Sequence, residues 1–353
     1  MKKKMQKKVD TSGAVDLIAL VECVERFSTK TVVVYGDFVA DEFQYGDITR
    51  VSREAPVLIL RHRETRVLPG GAANAANNFA SLGAKVFPVT VVGDDAAGES
   101  LIRAFREKKV DVSGIVRAKG WTTPTKTRFL AGWAHKVGQQ VLRVDYEPVH
   151  ELPEAALAKL RAALKKKMAR ADALAISDYG FGVAAPDAAS EAFSRRRREV
   201  PVTLDSRYRL ASYKNAGVSS ATPNEGELEA LHHTSIGKNV AELERCGEAT
   251  LAEMKLQSLL VTRGRDGMAI FQAGQKAIHL PVHGSDVAVD VTGAGDTVLA
   301  AYTLGLASGA SPLEAAHIAN IAGGLVVMKR GTATVSQVEL LEAIRGAASE
   351  TVS

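Results

Sequence analysis

The feature that most constrains the fold is an alternation of short apolar runs with helical stretches along most of the chain. The apolar runs are rich in β-branched residues and occur at residues 31–35, 86–92, 173–176, 202–204 and 259–262. Continuous runs of this kind are typical of strands buried on both faces of a parallel sheet. The helical stretches lie at residues 72–82, 97–107, 154–168, 188–197 and 240–255. The alternation predicts βαβ units, and hence an α/β fold with helices on both faces of a mostly parallel sheet.

Two segments interrupt the alternation. Residues 43–63 and 122–145 lack helical periodicity, are rich in β-branched residues and contain turn signals at Gly46, Gly132 and Gly138. Both are predicted to be β-hairpins. Together they would form a small sheet above the ends of the main strands, where ligands bind in α/β folds, and would act there as a lid.

The domain boundaries follow from these patterns. Residues 29–340 are predicted to form one domain with both hairpins inserted in it. Residues 1–28 are predicted to be a Lys-rich tail and an amphipathic helix, and residues 341–353 a C-terminal tail.

Charge and composition argue against several classes of protein. The net charge is +5, from 45 Lys and Arg against 40 Asp and Glu, and the basic residues gather in three short, separate runs. Aromatic residues make up only 5%, and no nucleic-acid reader motif is present, so we expect no nucleic-acid partner. We also expect no membrane association, because the basic start lacks an apolar signal region and no window reaches about 18 apolar residues. Cys23 and Cys246 are isolated, which favours the reducing cytoplasm.

The most specific motif is VDVTGAGDTV at residues 289–298. A glycine turn, Gly293-Ala294-Gly295, separates an apolar approach from a helix, so the amides of Ala294, Gly295 and Asp296 are expected to be unpaired at a helix N-terminus. Such amides form an anion site. Asp296 places a carboxylate beside it, where a general base would accept a proton from a hydroxyl that attacks a phosphoryl group.

A second glycine motif is PGGAANAANN at residues 69–78. Gly70 and Gly71 allow the backbone to approach a ligand closely, and Asn74 lies one turn into the helix that follows. An amide at this position can donate to and accept from sugar hydroxyls. The common alternatives for phosphate binding, a P-loop or a dinucleotide fingerprint after the first strand, are absent from the sequence.

Taken together, the two motifs resemble the signatures of the PfkB/ribokinase family of sugar kinases, and the resemblance covers residues 31–335. It implies a ribokinase-like three-layer sandwich with a β-sheet lid, with ATP and Mg²⁺ as cofactors and a sugar or sugar phosphate as substrate. It also implies a homodimer formed through the lid sheets.

The resemblance extends to other residues. Asp41, in GDFVADEF, stands where the family holds sugar hydroxyls. Glu227, in TPNEGEL, is implied to organise Mg²⁺ through water. The residues implied to bind the nucleotide are Asn224, Thr262, Arg263, Gly264, Gly267, Asn320 and Gly331.

Within the family, the chain is most similar to the D-glycero-β-D-manno-heptose 7-phosphate kinases. The stretches that carry this similarity are GDFVADEFQYGDITRVSREAPV, PGGAANAANNFASLGA, QQVLRVDYE, ISDYGFG and RGTATV. A substrate that already carries a phosphate needs cations nearby, for which Arg128 and Arg143 are candidates, with Asp145 as a polar partner for hydroxyls.

The chain departs from the pattern of these heptose kinases at three places. Phe181 replaces the lysine of SDYxKG, and Arg53 replaces the proline of SPEAP. Asp205-Ser206-Arg207 stands for the usual Asp-Pro-Lys, so Arg207 is expected to serve a phosphate in place of the lysine. No nucleotidyltransferase segment is recognised in the sequence, so a later step to ADP-heptose is expected to need another protein.

Three alternatives remain open at this point. One is a kinase of the same family for an unphosphorylated sugar or a nucleoside. Another is a sugar- or nucleotide-binding regulator that keeps the fold without the chemistry. The third is an NAD-dependent oxidoreductase, suggested only by the α/β pattern.

Overall fold

The computed structural model describes residues 15–132, 139–194, 200–284 and 288–352. Its strands are β1 (Thr31–Gly36), β2 (Phe38–Val51), β3 (Leu58–Gly71), β4 (Lys85–Gly93), β5 (Ile115–Ala118), β6 (Thr125–Gly132), β7 (Gln139–Tyr146), β8 (Ala173–Asp178), β9 (Val202–Ser206), β10 (Ser220–Ala221), β11 (Ser258–Thr262), β12 (Met268–Gln272) and β13 (Ile278–Leu280). Its helices are α1 (Leu17–Glu25), α2 (Ala72–Ser81), α3 (Ala96–Glu107), α4 (Glu154–Met168), α5 (Pro186–Ser194), α6 (Glu225–His232), α7 (Val240–Glu253), α8 (Ala294–Ala307), α9 (Pro312–Val326) and α10 (Gln337–Val352).

The main sheet has nine strands in the order β13-β12-β11-β10-β9-β8-β1-β4-β5. All five strands predicted from apolar runs belong to it, and β1 lies between β8 and β4 with both pairings parallel. The antiparallel pairings are those of β12 with β11 and β13, at one edge. The mostly parallel sheet is therefore confirmed, but the prediction missed four short strands: β5, β12 and β13 toward the edges, and β10 in the interior between β9 and β11.

Helices cover both faces of this sheet because successive side chains of each buried strand point to opposite sides. On β1, Val32 and Val34 join a core that includes residues of α2, α8 and α9. Val33 and Tyr35 join a second core that includes residues of α4, α5 and α7. The result is the expected three-layer arrangement.

A separate four-stranded sheet, in the order β3-β2-β6-β7, forms the lid. β2 and β3 pair antiparallel, as do β6 and β7, while β2 and β6 run parallel. The first hairpin is longer than residues 43–63, since β2 starts two residues after β1 and β3 ends where α2 begins. β2 thus continues directly from the central strand β1, and β3 leads directly into α2. The predicted turn at Gly138 lies outside the described residues.

The sequence predicted the helix near the N-terminus but not the one at the C-terminus. The expected N-terminal helix is α1, with Leu20 and Val24 fully buried, while residues 1–14 lie outside the described part. The prediction of a C-terminal tail from residue 341 is wrong, because α10 extends to Val352 and buries Leu340 and Ile344. Their spacing of four residues puts both side chains on one face of the helix. In the described residues, no helix is both long and apolar enough to cross a bilayer.

Candidate active site

The two glycine motifs meet at the end of the main sheet. Gly293, at φ +78°, begins α8, and Gly71, at φ +56°, begins α2. Across the junction Asn74 Nδ2 donates to Asp296 Oδ2 at 2.7 Å. A Cβ atom on Gly293 would lie 2.6 Å from Asn74 Nδ2, so only glycine allows this close approach. The two motifs therefore lie in direct contact, as the prediction of a shared site requires.

A second polar contact joins the two helices. Thr297 Oγ1, one residue after Asp296, donates to Asn78 Oδ1 at 2.7 Å, and Asn78 lies one turn after Asn74. All four side chains are buried. Buried polar groups of this kind fix the relative position of two elements, because separating them would leave donors and acceptors unpaired.

Asp296 has the environment of a general base that works near neutral pH. Its side chain is 4% exposed, and burial raises its pKa to about 7, with the charge of Asp41 adding to the shift. Hydrogen bonds from Asn74 and Tyr179 lower the pKa and partly offset these effects. A carboxyl whose pKa lies near the working pH can accept a proton and release it again in each cycle.

The helix amides beside Asp296 differ from the prediction in one respect. The amide of Ala294 is not available to an anion, because it donates to Val291 O at 3.2 Å and closes the turn. The amides of Gly295 and Asp296 lie in the first turn of α8, where a helix leaves its N–H groups without intrahelical acceptors. The anion site predicted at this helix thus rests on two amides instead of three.

The inner face of the lid carries the predicted sugar-binding side chains. Asp41, Lys126 and Asp145 lie opposite one another on β2, β6 and β7, and so form one row across the sheet. The next row on the same face contains Phe43, Arg128 and Arg143. Three adjacent strands thus bring together residues that are more than 80 positions apart in the sequence.

Two ion pairs hold this face in shape. Arg128 Nη1 contacts Asp41 Oδ1 at 2.7 Å, with side-chain exposures of only 18% and 11%. Arg143 Nε contacts Asp145 Oδ1 at 2.8 Å and is half exposed. A Cβ atom on Gly70 would lie 2.3 Å from Asp41 Oδ2, so this carboxylate stands against the first glycine turn as the resemblance implies.

The lid and the main sheet enclose a polar cavity of about 820 Å³, which we call the charged cavity. Cationic and anionic side chains line it together with aromatic ones, and Asp296 is not among them. The lining residues used below are Lys126, Arg143, Asp145, Tyr179, Phe181 and Arg207. Arg207 and Phe181, which differ from the heptose-kinase pattern, therefore face the same space.

A second cavity of about 490 Å³, here the glycine-lined cavity, lies on the other side of the α8 N-terminus. Of the residues that the resemblance assigns to the nucleotide, Thr262, Gly264, Gly267 and Asn320 line it, together with Gly295 and Ala294. Gly331 is not among the lining residues, and its amide donates to Asp290 Oδ2 at 2.9 Å.

Arg263 does not face this cavity, in contrast to the prediction. Its side chain is 8% exposed and contacts Glu225 Oε2 at 2.7 Å, with a further hydrogen bond to Gly237 O. Arg265, two residues later, lines the glycine-lined cavity instead. The turn at residues 264–266 reverses the chain between them, and sequence spacing alone does not show this reversal.

Asn224 and Glu227 form a capping box at the start of α6. Asn224 Oδ1 accepts from the amide of Glu227, and Glu227 Oε2 accepts from the amide of Asn224, both at 2.9 Å. Burial raises the pKa of Glu227 and of Asp205, and the charge of Glu227 adds to the shift of Asp205. In the described residues no cluster of three His, Cys, Asp or Glu side chains could hold a metal directly. These carboxylates fit a Mg²⁺ ion that keeps its waters.

The sequence prediction gave no role to Tyr179. Its hydroxyl donates to Asp296 Oδ1 at 3.5 Å, and its ring lies between that carboxylate and the charged cavity. Buried Asp37 holds the loop that carries it, accepting from the amides of Tyr179, Phe181 and Val183 at 2.8, 3.2 and 2.9 Å. The motif ISDYGFG is the sequence signal that marks this loop.

Comparison with known proteins gives a family match. The family model described as pfkB family carbohydrate kinase matches residues 29–339. Among curated relatives, the Bifunctional protein HldE of Mesorhizobium japonicum is 38% identical over 92% of this chain, and that of Pseudomonas aeruginosa is 39% identical over 91%. The chain spans only 64% and 65% of the length of these two relatives.

Solved structures show the same fold. Escherichia coli phosphofructokinase-2 in complex with potassium superposes with a TM-score of 0.74 at 21% identity, over 90% of this chain and 99% of that one. Arabidopsis thaliana ribokinase complexed with ribose and ATP gives 0.68 at 20% identity, with the same coverage. The ribokinase-like fold expected from the sequence is thus confirmed.

Proposed function

We propose that this chain, which belongs to the pfkB family of carbohydrate kinases, phosphorylates D-glycero-β-D-manno-heptose 7-phosphate at the anomeric hydroxyl. As a member of that family it is a phosphotransferase that uses ATP and acts on a sugar hydroxyl. The contact between Asn74 and Asp296 carries the proposal, because it joins a polyol-binding turn to a general base. The heptose-kinase stretches of the sequence and the HldE relatives support the choice of sugar. Family membership also removes the oxidoreductase alternative.

The proposed mechanism uses residues on both sides of Asp296. Asp41, Gly70, Gly71 and Asn74 hold the sugar hydroxyls under the closed lid. Asp296 takes the proton of the anomeric hydroxyl. The hydroxyl oxygen bonds to the γ-phosphorus while the bond from the γ-phosphorus to the β-phosphate oxygen breaks, which leaves ADP. The amides of Gly295 and Asp296, with the Arg207 guanidinium, stabilise the negative charge that spreads over the transferred group.

We propose that the nucleotide occupies the glycine-lined cavity, with its phosphates toward the start of α8. Thr262, Gly264 and Gly267 would lie along the phosphates and ribose, and Asn320 beside the base. Mg²⁺ would be held chiefly by the phosphates and by waters that Glu227 and Asn224 orient, since Mg²⁺ at phosphates usually keeps several waters. The ion supplies positive charge that neutralises the phosphates and aligns them with the acceptor.

The proposal is tested by ATP consumption, measured over a set of sugars, nucleosides and sugar phosphates that includes the heptose 7-phosphate. We expect turnover with the heptose phosphate to exceed that with ribose, fructose and adenosine, and little ATP hydrolysis without a sugar. Faster turnover with an unphosphorylated sugar would reject the proposed acceptor. An absence of sugar-dependent consumption for every compound would favour a binding protein that has lost the chemistry.

We further propose a homodimer formed through the lid. Its edge strands are β3 and β7, and β7 exposes the apolar side chains of Val141 and Leu142. Exposed edges of this kind pair readily with another strand. We place the protein in the cytoplasm, where its co-substrate ATP is available and where buried free thiols such as Cys23 and Cys246 remain reduced. Sedimentation of wild type and of a Leu142→Lys variant tests the dimer, since a lid interface should weaken in the variant.

A further inference from the structure

Lys126 is a cation at the centre of the lid face that the proposed mechanism does not use. It lies on β6 between Asp41 and Asp145, and its Nζ is 6.0 Å from the centre of the Tyr179 ring. Tyr179 in turn contacts Asp296. Lys126 and Tyr179 therefore both line the charged cavity, and Tyr179 links that cavity to Asp296.

Among the described residues, no carboxylate lies within salt-bridge distance of Lys126. The two carboxylates opposite it on the neighbouring strands are paired with other cations, since Arg128 contacts Asp41 and Arg143 contacts Asp145, while Glu147 and Glu151 also line the cavity. Burial lowers the pKa of Lys126 and the positive charge of Arg207 lowers it further, whereas the charges of Asp41 and Asp145 raise it in part. A half-buried ammonium among other cations is stabilised most effectively by an anion that enters the cavity.

We infer that Lys126 binds the phosphate group of a phosphorylated acceptor and thereby selects sugar phosphates over unphosphorylated sugars. This inference rests on the proposed function, whose acceptor reacts at one end and carries its phosphate at the other. With the reacting hydroxyl at Asp296, the far end of the sugar extends past Tyr179 into the charged cavity. Arg207 lines the same cavity from the loop after β9, whereas Lys126 is, among the described residues, the lid cation of this cavity without a carboxylate partner, so we assign the acceptor's own phosphate to Lys126.

Phe181 lines the same cavity as Lys126. Heptose kinases of the resembling type carry a lysine where this chain has Phe181, at the wall of the charged cavity. The loop after β8 thus supplies no lysine here, while the lid strand β6 supplies one to the same space. The phosphate-binding charge therefore closes with the lid, and an acceptor phosphate would help to hold the lid shut.

The test compares sugar phosphates with their parent sugars in three variants. KM is measured by ATP consumption for heptose 7-phosphate, mannose 6-phosphate and fructose 6-phosphate, and for heptose, mannose and fructose. The variants are Lys126→Met, Lys126→Arg and Lys119→Met, the last a matched control that removes an exposed lysine just before the lid strand.

In Lys126→Met we expect KM for the preferred sugar phosphate to rise roughly 10- to 100-fold, which is the usual worth of a charged hydrogen bond. KM for the parent sugar should change less than about twofold, Lys119→Met should behave as wild type, and Lys126→Arg should recover part of the affinity. Equal changes for both members of a sugar pair, or a wild type that prefers the parent sugars, would overturn the inference. Discrimination that depends on Lys126 but favours a hexose phosphate over heptose 7-phosphate would reject the proposed acceptor and leave the Lys126 assignment intact.

Discussion

The two cavities that flank Asp296 are built in different ways. The glycine-lined cavity is bounded mainly by glycines and apolar side chains that belong to elements of the main domain, such as Gly295, Val298 and Gly323. The charged cavity is bounded by ionisable and aromatic side chains, several of which come from the lid, such as Lys126, Arg143 and Asp145. The shape of the glycine-lined cavity is therefore fixed by backbone packing, whereas the charge of the charged cavity depends on where the lid sheet places its side chains.

This difference indicates which side of the site sets which property. A cavity shaped by backbone and small residues accepts a ligand common to many relatives, because little in it can vary without disturbing the core. A cavity lined by side chains on a lid can change its charges one at a time, so we propose that the acceptor is chosen there. Asp296 directly follows Gly295, which lines the glycine-lined cavity, and contacts Tyr179, which lines the charged cavity.

We expect the largest effect from replacing Asp296, the proposed base at which the nucleotide and sugar sides meet. Asp296→Asn keeps the shape of the side chain and can still accept from Asn74, but it cannot take the proton. We expect turnover to fall roughly 10²- to 10⁴-fold while sugar binding changes little. Steady-state ATP consumption gives the first quantity and calorimetric titration with the sugar the second. Unchanged turnover in this variant would remove Asp296 from the mechanism.

A second change tests the glycine-lined side alone. Gly295 faces open space in its cavity, so Gly295→Leu should fold normally and project into the proposed nucleotide site. A steric conflict of this size should raise KM for ATP roughly 5- to 100-fold and leave sugar affinity unchanged. Gly346→Leu, at another helical glycine with open space around it, is the matched control. A weaker sugar affinity without a change for ATP would mean that the two sides have been assigned in reverse.

The pH dependence follows from the raised pKa of Asp296, which burial moves from 3.8 to about 7. The folded state therefore binds this proton more tightly than the unfolded state does. Its contribution to stability is full below pH 3.8 and is lost as the pH rises through about 7. Relative to wild type, Asp296→Asn should thus be stabilised at pH 8 by roughly 1–4 kcal/mol, and by less at pH 5. Urea unfolding at the two pH values measures the difference.

The same proton affects stability and activity in opposite directions. Protonation of Asp296 stabilises the folded state, but the carboxyl must be unprotonated to act as a base. We expect kcat/KM of the wild type to fall about tenfold per pH unit below pH 7. A profile that stays flat between pH 5 and 7 would show that another group accepts the proton.

The smallest expected effects distinguish Arg263, which we assign a structural role, from Arg265, which lines the glycine-lined cavity. Arg263→Met breaks the buried pair with Glu225 and should lower the free energy of unfolding by about 1–3 kcal/mol, with KM for ATP nearly unchanged. Arg265→Met, within the glycine-lined cavity, should leave stability within about 0.5 kcal/mol and raise KM for ATP modestly. If Arg263→Met instead raised KM for ATP and Arg265→Met lowered the free energy of unfolding, Arg263 would again be assigned to the nucleotide site.

Local pattern was enough to find the central strands, most of the helices and the proposed base. Apolar runs specified the five central strands because a parallel strand buried on both faces admits little else. The glycine motifs located Asn74 and Asp296 because each motif sets its own backbone turn and helix start within a few residues. The lid hairpins were recognised as well, although β2 and β3 extend beyond the predicted limits.

The sequence by itself therefore determined the sheet, the two turns and the residues that meet between them. Only the tertiary structure decided that Lys126 stands between Asp41 and Asp145, that Arg263 turns to Glu225 and that α10 packs Leu340 and Ile344 on the core. Periodicity and turn chemistry act over a few residues, so they can be seen in a linear sequence. The partner of a charged side chain depends on which distant strand lies beside it, and that neighbour is chosen by the packing of the whole domain.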